Sequence, residues 1–183
     1  MKERDEELIA DFLDGRSEAF EVLVMKYQRE VFYLVKSLVF DKEEAKDITQ
    51  QSFITAFSKL KRLRKRKQFR NWLLKIAVNV TRDHLRRKKT NIEFEGWMEP
   101  DFRNIPERLT IEKDMVRNVQ VAISLLPVRQ QEIVSLRLIH GLSFGEIAHI
   151  LEIKKETARS NFHFGIKNLR KHLSRWGIDH EVR

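Results

Sequence analysis

Cysteine is absent from the 183 residues. That excludes a disulfide framework, a zinc–thiolate site and a catalytic thiol. Glycine and proline are scarce, at 6 and 3, which disfavours many tight turns and fits long helices. No apolar run approaches the ~18 residues of a membrane-spanning helix. The acidic start, Met1 to Glu7, leads into no signal-peptide apolar core. A soluble, cytoplasmic protein with no membrane insertion is expected. Catalytic motifs are missing too: no glycine-rich phosphate loop, no His-Glu-x-x-His and no Gly-x-Ser-x-Gly. His84, His140, His149, His163, His172 and His180 lack metal-ligand spacing with carboxylates. The sequence therefore predicts neither an enzyme nor a metal or cofactor site.

Apolar residues make up 42% of the chain, enough for a core, and charged residues 34%. Lys and Arg number 36 against 27 Asp and Glu, a net charge of +9, which favours a polyanionic partner. The charge is unevenly placed. Residues 1–60 carry 9 basic and 13 acidic side chains, and residues 61–90 carry 13 basic and 1 acidic. Residues 91–116 carry 3 and 7, and residues 117–183 carry 11 and 6. Two basic regions are thus separated by an acidic connector.

The periodicity is helical throughout, with no alternating strand pattern. Asp5–Leu13 reads as a short helix ended by Gly15. Ser17 is a candidate cap for a second helix with Phe20, Leu23, Val24, Tyr27, Val31, Leu34 and Leu38 on one stripe. Asp41 and Glu44 predict a capping box for a third, with Ala45, Ile48, Phe53 (or Ser52), Ala56 and Leu60 inward. Lys61–Lys67 precede a fourth helix bearing Phe69, Trp72, Leu73, Ile76 and Val80. Residues 90–107 hold Gly96, Pro100 and Pro106 without a sustained period, and read as a linker. It carries Phe94, Trp97, Met98 and Phe102, which can dock on a partner or on this chain. Beyond it Met115, Val119, Ile123 and Leu126 form a stripe. Pro127 suits the first helical position of the next helix, which Gly141 stops. Ser143–Glu146 is a capping box opening Phe144–Leu151. After Glu152-Ile-Lys comes a last helix with Ala158, Phe162, Gly165, Ile166, Leu169, Leu173 and Trp176 inward. The expected fold is all-α, in two small helical domains: 1–89 and 108–177, joined by a flexible linker, 90–107.

Residues 143–173 match a helix-turn-helix, a short capped helix followed by a turn and a longer basic one. Glu156, Arg159, Ser160, His163, Lys167 and Arg170 lie on its outward face and can reach base edges and phosphates. Phe164, about 200° from Phe162 around the helix, should also face outward. In the 61–89 block, Phe69 and Trp72 can stack on unpaired bases. At helical spacing, packing into the core is the commoner fate of such rings. Asp47, Gln50, Gln51 and Thr55 form a polar face on the third helix, able to dock another protein.

The order of these parts resembles bacterial alternative sigma factors of the extracytoplasmic-function (ECF) group, from about residue 17 to 173. Asp47-Ile-Thr-Gln-Gln-Ser-Phe53 is similar to the family's Asp-x-x-Gln-Glu-x-Phe, with Gln51 in place of Glu. Phe69–Asn79 resembles the segment that opens and reads the minus-ten element, and Asp83–Lys89 its promoter-contacting helix. Ser143–Leu151 and Glu156–Ser160 resemble the halves of the minus-thirty-five reader. The resemblance implies a region 2 bundle, a region 4 helix-turn-helix and a promoter-specificity subunit of RNA polymerase. Polymerase binding would fall to Asp47, Gln50, Gln51 and Phe53. Minus-ten contacts would come from Arg70, Trp72, Lys75, Asn79, Arg82, Asp83, Arg86 and Arg87. Minus-thirty-five contacts would come from Glu156, Thr157, Arg159, Ser160, His163, Lys167 and Arg170. It also implies an anti-sigma partner, covering the 45–60 face and the final helix. The chain departs from the family at its turn, Leu151-Glu-Ile-Lys154, and at Asn161 and Phe164, where arginines are usual. Phe164 is expected to touch a thymine methyl or a regulatory protein.

Two other readings compete. A conventional helix-turn-helix regulator with a dimerising or ligand-binding N-terminal bundle leaves the 61–90 basic block without a role. An adaptor on anionic membrane surfaces leaves the helix-turn-helix without one.

Overall fold

A computed structural model describes residues 4–39, 41–95 and 115–175. All regular structure among them is helical. The eight α-helices are α1 (Asp5–Leu13), α2 (Glu18–Leu38), α3 (Lys42–Lys59), α4 (Phe69–Glu95), α5 (Met115–Ser124), α6 (Val128–Leu138), α7 (Phe144–Leu151) and α8 (Lys155–Arg175). Two short 3₁₀ turns, Leu60–Arg62 and Arg66–Gln68, lead from α3 into α4.

Local chemistry sets most boundaries. Gly15 takes φ +97° after α1, a backbone state that costs glycine nothing. Asp41 accepts the amide of Glu44 at 2.8 Å and starts α3. The expected box is only half made, because the Glu44 carboxylate turns to Lys88 of α4 instead, at 2.5 Å. Ser17 does not cap α2: its backbone is already helical and its hydroxyl makes no capping bond. Pro127 lies one position earlier than expected, as the residue before α6. Both halves of the Ser143–Glu146 box are present. The turn after α7 puts Glu152 at φ +56°, a left-handed state uncommon for a residue with a Cβ. Helix α4 continues six residues into the span expected to be linker, ending at Glu95. No glycine or proline interrupts residues 69–95, so nothing in that stretch stops it. The linker aromatics from Trp97 to Phe102 and Trp176 lie outside the described residues.

The two halves do not keep separate cores. One buried cluster joins Leu23, Val31, Leu34, Phe69, Leu73, Leu74 and Val78 of α2 and α4 to Ile133 and Leu136 of α6, Leu142 of the turn after it, and Ile147, Ile150 and Leu151 of α7. A smaller cluster under α8 holds Ala122, Ile123, Leu126, Val134, Leu169 and Leu173. Gln131 is buried and donates to the Ser37 carbonyl at 2.8 Å, fixing α6 on α2. The expected all-α fold of two helical domains joined by a linker is found, and the two domains also pack against each other. The apolar faces of α6 and α7 complete the core of the first half.

Helices α6 and α8 cross closely at Gly165. A Cβ there would sit 2.7 Å from Cγ2 of buried Val134. Gly165→Ala gains helix propensity of about 1 kcal/mol but forces this β-branched neighbour aside, at about 1–3 kcal/mol. A net loss of stability is expected in a urea melt. Pairing it with Val134→Ala should recover part of the loss.

Candidate nucleic-acid interface and docking face

Helix α8 displays one clean surface. Ala158, Gly165, Leu169 and Leu173 point into the protein, and Glu156, Thr157, Arg159, Ser160, His163, Lys167 and Arg170 are all exposed. Phe164 is 55% exposed in the middle of that face, beside His163 at a ring separation of 6.0 Å. Phe162, two residues earlier, packs edge-on against Phe144 at 5.5 Å and ties α8 to α7. The Arg159 guanidinium lies 5.8 Å from the Phe144 ring, which restrains a long side chain at the start of the exposed face.

The basic block divides into two environments. Lys61, Arg62, Arg64, Lys65, Arg66 and Lys67 are exposed on the turns before α4. Phe69 is fully buried against Tyr27 at 5.5 Å, so its ring belongs to the core. Trp72 is half-buried beside it. Asn79, Asp83, His84 and Arg87 of α4 line a polar groove with Asp47, Gln51, Thr55 and Lys59 of α3. Asp83 pairs with Arg86 at 3.1 Å.

Other α4 cations meet carboxylates. Arg70 pairs with Glu30 and also donates to the His140 carbonyl at 3.1 Å. Burial alone would raise the Glu30 carboxyl. Hydrogen bonds from His140 and Arg70 outweigh it and hold the group below the usual range. Asn71 donates to Glu146 at 3.1 Å and Lys75 to Glu152 at 2.7 Å. The Ser143 amide, then Asn71, hold the Glu146 carboxyl low. The Lys75 hydrogen bond does the same for exposed Glu152. Arg82 makes a two-pronged pair with Glu132 at 2.5 and 2.7 Å, which raises the guanidinium's own pKa. Glu132 has a side chain only 2% exposed.

Helix α3 lies between two grooves. Asp47, Gln50 and Gln51 form its exposed ridge. Phe53 does not share that ridge. It is buried at 7% exposure and serves as a wall of an apolar groove with Phe20, Val24, Phe32, Tyr33, Ile54 and Phe57. Ile54 and Phe57 are 54% and 47% exposed. Periodicity alone does not mark either residue: Phe57 lies about 40° beyond Phe53 around α3, and Ile54 about 100°, on the side of the polar ridge. Phe57 is held by edge contacts to Phe12 and Phe20, at 5.1 and 5.2 Å. No group of three or more His, Asp or Glu among the described residues could hold a metal ion. None of their helices is long and apolar enough to cross a membrane.

Helix α8 thus presents an exposed basic face, the turns before α4 a second basic stretch, and α3 a polar ridge beside an apolar groove. Residues 23–90 match the Sigma-70 region 2 family, and residues 117–169 match Sigma-70, region 4. The chain is 31% identical over 170 residues to the RNA polymerase sigma-H factor of Pseudomonas aeruginosa, covering 87% of this chain and 88% of that one. It is 33% identical over 168 residues to the ECF RNA polymerase sigma-E factor of Salmonella typhimurium, covering 85% and 87%. The sigma factor RpoE, solved with the anti-sigma factor NepR from Bartonella quintana, shares the fold at a TM-score of 0.73 and 18% identity, covering 85% and 96%. The chain belongs to the sigma-70 family, among its ECF RNA polymerase sigma factors. It is a promoter-specificity subunit for transcription initiation.

Proposed function

We propose that the α3 ridge docks on core RNA polymerase, that α8 reads the minus-thirty-five element and that α4 with the preceding turns opens the minus-ten element. Asp47, Gln50 and Gln51 supply polar contacts, and the adjoining groove walled by Phe53, Ile54 and Phe57 supplies apolar area. The observation that carries this reading is the α8 face, on which all seven proposed minus-thirty-five residues are exposed. Exposed cations at Lys61–Lys67 grip phosphate without regard to sequence. Asn79 in its polar groove, with Asp83 and Arg87, suits a base turned out of the stack. Trp72, Arg70, Lys75, Arg82 and Arg86 complete the proximal contacts. The protein works in the cytoplasm as a non-catalytic subunit, with the polymerase supplying the chemistry. An anti-sigma factor laid over the α3 ridge and α8 would block both contacts.

Mixing the protein with core bacterial RNA polymerase on a sizing column tests the docking. Wild type should co-elute, and Asp47→Ala with Gln50→Ala should lower the bound fraction at least tenfold. A wild-type chain that elutes apart, as a dimer, points to the conventional regulator instead.

Phe164 completes the distal surface. Its exposed ring is suited to the methyl group of a thymine. Removing one methyl from an apolar contact costs about 0.8 kcal/mol, close to fourfold in affinity. Replacing distal thymines one at a time by uracil should reveal one position with a loss of that size for wild-type holoenzyme. Phe164→Ala should erase the difference at that position. Equal thymine–uracil discrimination in both proteins removes Phe164 from the readout.

A further inference from the structure

We propose that Phe144, the first residue of α7, is a positioning residue for promoter reading: its ring seats the Arg159 guanidinium of α8 before DNA arrives. Phe144 acts through Arg159 and makes no DNA contact of its own. The inference rests on the reading above for the role of α8.

The Phe144 ring meets two cations and one aromatic neighbour. The Arg137 guanidinium of α6 lies over it at 5.0 Å from the ring centre, and that of Arg159 at 5.8 Å. Both fall within the ~6 Å over which a ring face attracts a cation. Phe162 of α8 meets the same ring at 5.5 Å and 66°. Helices α6, α7 and α8 therefore converge on one side chain. The ring itself is held in place. Phe144 follows the Ser143 cap, whose box with Glu146 is complete. Its side chain is half-buried and packs against the main core cluster. Arg137 also donates to the Leu142 carbonyl at 2.9 Å, which anchors its guanidinium in the turn between α6 and α7.

Arg137 is thus the fixed side of the stack and Arg159 the side that faces DNA. Arg159 is exposed and lies near the start of α8, the part of a reading helix that reaches base edges. Among the described residues no carboxylate pairs with Arg159, so the ring is its restraint. The consequence is entropic. A long arginine side chain on an exposed helix face samples many rotamers, and binding must freeze one of them. A guanidinium already seated on a ring has given up part of that freedom, so its planar fork meets DNA at a smaller cost. Lys167 and Arg170 lie further along the same face, and among the described residues neither meets a ring or a carboxylate. Phe144 therefore orders the one end of the surface where geometry matters most.

A series that preserves shape tests this on the full chain. Phenylalanine bearing one, two or three ring fluorines is built into position 144. Fluorine draws electron density from the ring face and weakens its hold on a cation, with little change in size. Each chain is assembled with core polymerase, and its affinity is measured for a promoter fragment that wild-type holoenzyme selects from a random pool. Affinity should fall stepwise, reaching about a two- to fivefold loss at three fluorines. Co-elution with polymerase should not change. In an Arg159→Ala background the series should be flat. A flat series in the otherwise wild-type chain overturns the proposal. So does an equal fall in the Arg159→Ala background, which would leave the ring a packing residue only. If Arg159→Ala alone binds the promoter as wild type does, the reading of α8 fails at this position and the proposal fails with it. Two encoded variants give a second readout. Phe144→Tyr keeps the ring face and should bind like wild type, whereas Phe144→Leu keeps only apolar bulk and should lose at least as much as three fluorines. Equal losses in the two overturn the proposal.

Discussion

Arg82→Met should cost about 3 kcal/mol of stability in urea unfolding, whereas Glu132→Gln should cost only about 1 kcal/mol. The two substitutions break the same pair from opposite sides. What differs is the group left behind. Losing Arg82 strands the Glu132 carboxylate, 2% exposed, with Arg129 at 3.3 Å as its remaining cation. Losing the Glu132 charge strands Arg82, whose side chain is 31% exposed and can turn its guanidinium to water. The measurement is a pair of urea melts at neutral pH. Equal losses would mean that the pair is wetter than its burial implies. Both variants should also weaken the hold of α6 on α4.

The second large effect separates two neighbouring aromatic residues. Phe69→Ala removes a fully buried ring and should cost about 3–5 kcal/mol, lowering Tm by roughly 10 °C. Trp72 is half-buried, so Trp72→Ala should cost less stability, about 1–2 kcal/mol. Its larger effect should fall on promoter opening, read as permanganate reactivity of unpaired thymines in a complex with polymerase. A Trp72→Ala protein that opens promoters normally would make Trp72 a second core residue. A Phe69→Ala protein as stable as wild type would contradict the burial described above.

Much of the site was legible before any tertiary structure. The period of α8 separated Ala158, Leu169 and Leu173 from Arg159, Ser160, His163 and Lys167, and the burial follows that division. Helical geometry also put Phe164 outward and Phe162 inward. Asp41, Ser143 and Glu146 announced their helix starts because a cap is a local bond between residues three apart. Ser17 failed by the same logic. A hydroxyl in the right place caps only if its own backbone is extended, and that of Ser17 is helical.

The sequence alone determined the helices, the segregation of charge and the outward face of α8, since each depends on residues within a few positions of one another. It also carried the family resemblance, because the motif order lies along the chain. Only the tertiary structure decided where the inward faces of α6 and α7 go. Periodicity says that Ile133, Leu136, Ile147 and Ile150 must be buried, but not against what. They are buried against the α2–α4 bundle, and so bring Glu132, Glu146 and Glu152 onto Arg82, Asn71 and Lys75, 50, 75 and 77 residues away in sequence. The one-dimensional charge pattern showed only a block of 13 basic and 1 acidic side chains over residues 61–90. Folding neutralised part of it, because long-range pairing depends on the packing of whole helices and leaves no mark at the spacing of a single turn.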